Sequence, residues 1–237
     1  MKSRLLTHIT VASLIATAVH AQDKVELKDA KQKASYAIGL DIGSNFKRQE
    51  IEIDPKTLAA GIADSLAGKP QITDEEAKQV ITEFRTQLMA KMEAKQKEAG
   101  DKNLKAGEEY LAANSKKEGV KSTASGLQYK VLKAGKADGK SPKSSDKVKV
   151  HYHGTLIDGT VFDSSVQRGE PAEFGVDEVI PGWTEVLQLM KEGDKWQVYI
   201  PSKLAYGARG AGPQIGPNSA LIFDVELLSI QGQGQKN

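Results

Sequence analysis

Val150-His151-Tyr152-His153-Gly154-Thr155-Leu156-Ile157-Asp158-Gly159-Thr160-Val161-Phe162-Asp163-Ser164-Ser165 is the stretch that decides how the C-terminal half of this chain folds. Val148, Val150 and Tyr152 alternate with charged or polar neighbours, the period of a half-buried strand. Asp158-Gly159, set between Leu156 and Val161, is a hairpin signal. Outward from it, Leu127-Gln128-Tyr129-Lys130-Val131 alternates in the same way. So do Trp196, Val198 and Ile200, and then Leu221, Phe223, Val225 and Leu227. The helical period appears in this half only from Trp183 to Met190. Several antiparallel strands wrapped on one short helix predict an α+β domain.

The same half carries a set of aromatic and aliphatic residues in unusual settings. Tyr152, Phe162, Trp183, Tyr206 and Phe223 are joined by Val179, Ile180 and Ile215, with Asp163 the one carboxylate among them. Several sit beside Gly or Pro, where a core residue would more usually lie inside an uninterrupted strand or helix. Such a set offers little as nucleophile, base or metal ligand. It suits the gripping of an apolar, tertiary-amide-like group.

Residues 24–115 read as helical. A first helix is expected from about Leu27 to Lys47, with Ala34, Ile38, Ile42 and Phe46 on one stripe. Asp54-Pro55 supplies an N-cap followed by proline at the first helical position. Leu58, Ile62 and Leu66 then line one face until Gly68-Lys69-Pro70 stops the helix. A third helix opens at Thr73, where Thr73 and Glu76 have capping-box spacing. Its apolar face of Ala77, Val80, Ile81, Phe84, Leu88 and Met92 fades into a Lys-, Glu-, Gln- and Ala-rich stretch from Lys95 to Lys117. If helical throughout, residues 74–115 would extend about 60 Å, so the distal half is expected to be a solvated spacer. So thin a helical region is expected to pair with a second copy, and Gly39 and Gly43 would permit close approach there. The Lys-, Ser- and Gly-rich segment Asn114–Gly126 reads as a junction.

Lys2 and Arg4 precede an apolar stretch from Ile9 to Val19, and Val19-His20-Ala21 is a small-x-small cleavage site. Residues 1–21 therefore read as an export signal. No later segment has the ~20 apolar residues of a spanning helix, so the mature protein is expected to be soluble. The 33 basic and 31 acidic side chains come into balance once Lys2 and Arg4 are removed. A neutral chain of mixed charge is a poor nucleic-acid binder. With no cysteine, an exported protein must hold together by packing, and it cannot be a lipoprotein acylated on cysteine.

Taken in chain order, Val150 to Gly154, Gly159 to Ser165, Val179-Ile180-Pro181-Gly182-Trp183, Leu204-Ala205-Tyr206-Gly207 and Leu221-Ile222-Phe223-Asp224-Val225-Glu226-Leu227-Leu228 closely resemble the FKBP-type peptidyl-prolyl cis–trans isomerase domain. The resemblance covers roughly residues 125–230. With the helical region at 33–115, the mature chain resembles the Mip (macrophage infectivity potentiator) and FkpA group. The resemblance implies a twisted antiparallel sheet curled around a short helix, preceded by an all-α dimerisation region that ends in a long helix. The implied boundaries are a signal at 1–21, helical dimerisation at 22–72, a connecting helix at 73–115, a junction at 116–126 and the isomerase domain at 127–237.

The resemblance also assigns roles. Trp183 is implied as pocket floor, with Tyr152, Phe162 and Phe223 as walls and Val179, Ile180 and Ile215 at the rim. Tyr206 and the Ile180 N–H are implied as donors to substrate carbonyls, and Asp163 as the pocket's only carboxylate. Asp163 has a second reading, as a turn cap beside Ser164 and Ser165. Ala172 stands where many family members carry an aromatic wall residue, and Leu204 where some carry tyrosine. The stretch from Phe174 to Val179 is also short, and these departures bear on affinity for macrolide inhibitors. The implied partners are proline-containing unfolded or extended polypeptides and a second copy of the chain, with no cofactor or metal. The implied location is the periplasm of a Gram-negative bacterium, its outer membrane or the cell surface.

The chemistry agrees with those roles. Peptide-bond rotation faces a barrier of ~18–20 kcal/mol because resonance is broken, yet no bond is made or cleaved. No nucleophile is needed. His151, Asp163 and Ser164 invite a hydrolase triad, but nothing resembles a nucleophile elbow. His151 and His153 flank Tyr152 and face away from it, and two histidines without a third ligand are weak evidence for zinc. The Gly207–Gly216 segment lacks phosphate-loop spacing and reads as a flap over the pocket. The alternative from another class is a dimeric holdase chaperone with secondary isomerase activity.

Overall fold

The computed structural model describes residues 25–231, so the expected signal at 1–21 lies outside the described residues. The chain divides after Asp74 into two compact units.

In the first unit, helix α1 (Ala30–Arg48) starts at a capping box. The Asp29 carboxylate accepts from the Gln32 N–H at 2.8 Å, and the Gln32 side chain accepts from the Asp29 N–H at 3.4 Å. Helix α2 (Pro55–Ala67) starts as its sequence predicts, with Asp54 accepting from the Thr57 N–H at 2.6 Å ahead of Pro55. It ends at Gly68 in the left-handed region. No residue of either helix is buried. Ile42 and Phe46 share a groove of about 460 Å³ with Leu58 and Ile62, and Leu66 is 85% exposed.

The second unit holds helix α3 (Asp74–Asn114) and a seven-stranded sheet. The strands are β1 (Val120–Ser122), β2 (Gln128–Lys133), β3 (Lys147–Leu156), β4 (Val161–Ser164), β5 (Ala172–Gly175), β6 (Lys195–Ile200) and β7 (Leu221–Gln231). The order is β1-β2-β6-β7-β3-β4, with β5 also paired to β3, and every pairing is antiparallel. Register shifts interrupt β2/β6, β3/β4 and β3/β7, and such bulges bend and twist a sheet. The short helices are α4 (Ser165–Arg168) and α5 (Pro181–Leu189). Trp183, Val186, Leu187 and Met190 pack into one core with Val150, Val198, Ile200, Leu221, Val225 and Leu227. The Asp158-Gly159 hairpin joins β3 to β4, with Gly159 at φ 88 and the Asp158 carboxylate accepting from the Thr160 N–H at 2.9 Å.

Two expectations are corrected here. The segment read as a junction contains β1, which pairs with β2 through Val120–Lys130 to Ser122–Gln128. Its Lys and Ser residues hide a strand that backbone pairing sustains. The distal half of α3 is not a solvated spacer, because Gly100, Gly107 and Asn114 are buried. A Cβ on Gly107 would meet that of Ala220 at 3.0 Å, and the Tyr110 ring lies 6.2 Å from Tyr199. The Asn114 side-chain amide donates to Gln128 at 3.0 Å, and Gln128 donates to the Leu111 carbonyl at 2.9 Å. Small and polar residues make this contact, so no apolar stripe announces it.

Candidate active site

Strand β3 brings Tyr152 to the concave side of the sheet, β4 brings Phe162 and Asp163, and β7 brings Phe223. The first turn of α5 supplies Ile180 and Trp183 from the opposite side. Together they wall a cavity of about 670 Å³. All nine residues that the sequence nominates line it: Tyr152, Phe162, Asp163, Val179, Ile180, Trp183, Tyr206, Ile215 and Phe223.

The rings meet edge to face. Trp183 lies 5.4 Å from Tyr152 at 87° and 5.2 Å from Phe223 at 82°. Phe162 meets Phe223 at 5.4 Å and 84°. Edge-to-face pairs of this kind add to the packing that area burial alone supplies. Gly154 makes the arrangement possible, since a Cβ there would stand 2.7 Å from the Phe162 ring and 2.9 Å from that of Phe223. Trp183 is only 4% exposed, so it is a core residue as well as the cavity floor.

The rim is less regular. Ile180 precedes Pro181 at the start of α5 in extended conformation, and its N–H donates to no acceptor among the described residues. Tyr206 is 41% exposed, and its hydroxyl makes no hydrogen bond among the described residues. The glycine-rich segment closes on itself beside the cavity. Ala211 and Ile215 exchange backbone hydrogen bonds at 2.8 and 3.2 Å, and residues 211–215 all line the cavity. The segment that the sequence reads as a flap therefore contributes to the cavity lining.

Asp163 sits in a small polar network at the cavity edge. The Tyr152 hydroxyl donates to its Oδ2 at 2.5 Å, and the Arg168 guanidinium pairs with its Oδ1. Arg168 also donates to the Tyr152 hydroxyl at 2.9 Å and lies over the Tyr152 ring at 5.5 Å. Burial pushes the Asp163 carboxyl up, but the Tyr152 and Arg168 hydrogen bonds and the guanidinium charge outweigh it and hold it below its ordinary value. Burial, followed by the hydrogen bond to Asp163, pushes the Tyr152 phenol up, while Arg168 acts against them. The carboxylate is thus anionic and satisfied, and the phenol is neutral.

Sequence reasoning missed three residues. Phe174 is a further wall, 6.0 Å from Tyr152 and 5.7 Å from Trp183, and its place beside Gly175 on a four-residue strand was the available signal. Arg168 reaches Asp163 across α4, a contact no local pattern encodes. Glu178 also lines the cavity and accepts from the Gly175 N–H at 3.3 Å, so Asp163 is not its only carboxylate. Ala172 and Leu204 pack against the core and do not line the cavity.

The rejected triad does not assemble. His151 and His153 turn to the other side of β3, where their Nδ1 atoms lie 3.1 Å from Ser165 Oγ and 3.0 Å from Ser164 Oγ. Ser164 caps α4, accepting from the Gln167 N–H at 3.2 Å. The cavity has donors, rings and two engaged carboxylates, Asp163 and Glu178, and it can bind and orient without forming a covalent bond.

Comparison with known proteins agrees. Residues 139–228 match the family model described as FKBP-type peptidyl-prolyl cis-trans isomerase, and residues 31–131 match the domain amino terminal to it. The chain is 47% identical over 232 residues to an outer membrane protein MIP of Legionella longbeachae, covering 98% of this chain and 99% of that protein. It is 50% identical over 215 residues to the FKBP-type peptidyl-prolyl cis-trans isomerase FkpA of Aeromonas hydrophila, covering 88% and 79%. Among solved structures, FkpA from Escherichia coli aligns with TM-score 0.72 at 42% identity, covering 88% of this chain and 100% of that one. A helical N-terminal region, a long helix and an aromatic cavity on a bulged antiparallel sheet thus belong together: this chain is a member of the FKBP-type peptidyl-prolyl cis–trans isomerase family, of the Mip and FkpA kind, and an isomerase of X-Pro peptide bonds.

Proposed function

We propose that this cavity is where isomerisation happens, with the proline ring of an extended polypeptide seated on Trp183 between Tyr152, Phe162 and Phe223. The convergence of these rings with Phe174 on one concavity supports the reading most directly. Val179, Ile180 and Ile215 form the rim that the flanking chain crosses. The free Ile180 N–H and Tyr206 hydroxyl donate to the carbonyls beside the imide. They hold the peptide still while one bond turns.

Uncatalysed X-Pro isomerisation takes tens to hundreds of seconds. Turnover of about 10³ per second requires roughly five decades of acceleration, or about 7 kcal/mol. The planar amide is polar because resonance separates charge, and the twisted transition state loses that resonance. A water-poor aromatic wall disfavours the planar form more than the twisted one, so binding is selective for the transition state. Asp163 contributes by fixing the Tyr152 hydroxyl and by presenting a charged edge toward the imide. The same walls receive macrolide inhibitors.

The protein acts in the envelope as a homodimer that assists the folding of exported chains. Support comes from the export character of residues 1–21, from the name of the Legionella relative and from the uncovered apolar residues of α1 and α2. No helix among the described residues is long and apolar enough to cross a membrane. A holdase function adds to the isomerase. Val80, Ile81, Phe84, Met89 and Met92 on α3 are exposed, and paired sites on one dimer grip a long client by avidity.

The test is kinetic. Phe162 is only half-buried, so Phe162→Ala spares the fold better than a change at Trp183. In a protease-coupled assay on a proline tetrapeptide it lowers kcat/KM by about 10- to 100-fold. Unchanged activity in a folded Phe162→Ala protein would remove the cavity from the reaction.

A further inference from the structure

We propose that Asn103, on the long helix and remote in sequence from the pocket, is a positioning residue for the isomerase site. It clamps the base of the loop whose tip forms the pocket rim. Its side-chain amide donates to the Pro217 carbonyl at 2.9 Å and reaches Ser219 Oγ at 3.4 Å. Pro217 and Ser219 end the loop that begins after Tyr206. Across that base the Asn218 N–H donates to the Gly207 carbonyl at 2.8 Å, closing the loop next to Tyr206. The loop's other end, Ala211 to Ile215, lines the cavity.

The contact surface is shaped for this clamp. Asn218 has φ 55, a conformation uncommon for a residue with a side chain and best tolerated by Asn. Its side-chain amide donates to the Gly100 carbonyl on α3 at 3.3 Å. A Cβ on Gly100 would meet Asn218 Nδ2 and Pro217 Cβ at 3.2 Å each, and one on Gly216 would meet Asn103 Nδ2 at 3.0 Å. Helix and loop therefore touch backbone to amide with no side chain to spare. A loop so rich in glycine has much conformational freedom to lose when substrate binds. Fixing its base in the free protein removes part of that loss, and the gain appears as tighter substrate binding. Both hydrogen-bond partners of Asn103, Pro217 and Ser219, stand outside the cavity lining, so it acts through the loop.

The inference rests on the cavity being the substrate site, and the experiment separates the two. In the full-length protein, Asn103→Ala keeps a strong helix former and deletes the clamp. KM for a proline tetrapeptide rises about 3- to 10-fold while kcat stays within about twofold. Amide hydrogen exchange of residues 207–219 accelerates while β3 and β7 keep their protection. Asn218→Gly retains the positive φ and gives the same pattern more weakly. Exchange at the loop does not depend on where substrate binds. Unchanged loop exchange therefore overturns the clamp, and faster loop exchange with unchanged KM overturns its role in substrate binding. Faster exchange across the whole sheet, with kcat falling alongside, identifies Asn103 as a general stability residue and also overturns the proposal.

Discussion

The two units of this chain bury their apolar residues to very different degrees. In the sheet unit, Leu127, Val148, Val150, Leu187, Leu221, Val225 and Leu227 are fully buried. In α1 and α2 nothing is, and Ile38, Leu58, Ile62 and Leu66 remain exposed. The sheet unit closes a core around α5 and leaves one aromatic concavity open. The helical unit has good caps and correct periodicity, yet α1 and α2 share only an open groove and bury no residue among the described residues. Local signals make helices; they do not make a core. One unit is thus organised around a small-molecule-sized cavity, and the other leaves apolar surface exposed, which is the ground for the dimer proposed above.

The largest expected effect separates the units by substitution. Leu221→Ala empties a fully buried site and costs about 2–5 kcal/mol in denaturant unfolding of the sheet unit. Leu66→Asp, at 85% exposure, leaves that transition within about 0.5 kcal/mol yet converts the proposed dimer to monomer in sedimentation equilibrium. A monomeric wild-type protein, or a Leu66→Asp variant that still dimerises, breaks the comparison.

A smaller effect sharpens the electrostatics of the cavity edge. The Asp163 carboxyl is held below its ordinary value, burial working against the Tyr152 and Arg168 contacts that prevail. A depressed native pKa means that the contribution to stability is present above the unfolded value. It is lost as pH falls through the native one. With the ionised carboxylate serving the proposed reaction, the acid limb of kcat/KM lies below the ordinary carboxylate range. Arg168→Met removes the cation and leaves burial less opposed, so the acid limb moves to higher pH. An acid limb that stays in place in Arg168→Met separates Asp163 from the reaction.

Much of this was legible in the residues, and the exceptions share a cause. Strands β3, β6 and β7 announce themselves because one face is buried, which forces period-two alternation. The nine pocket residues stand in recognisable order, Ile180, Trp183, Tyr206 and Ile215 beside Gly or Pro, and the structure gathers all nine in one cavity. Strand β1 escaped notice because its pairing to β2 uses backbone groups, to which Lys121 and Ser122 add no pattern. Arg168 and Phe174 owe their roles to tertiary approach, across α4 and across the β3–β5 pairing. The docking of α3 escaped because glycines and amides make it, and hydrophobic periodicity registers neither.

The most direct measurement is two-dimensional NMR exchange on a proline tetrapeptide with the isotope-labelled full-length protein. Cis–trans exchange cross-peaks are expected together with shifts confined to Tyr152, Phe162, Ile180, Trp183, Tyr206, Ile215 and Phe223. Exchange accompanied by shifts in the α1–α2 groove, with the aromatic cavity silent, would contradict isomerisation in that cavity.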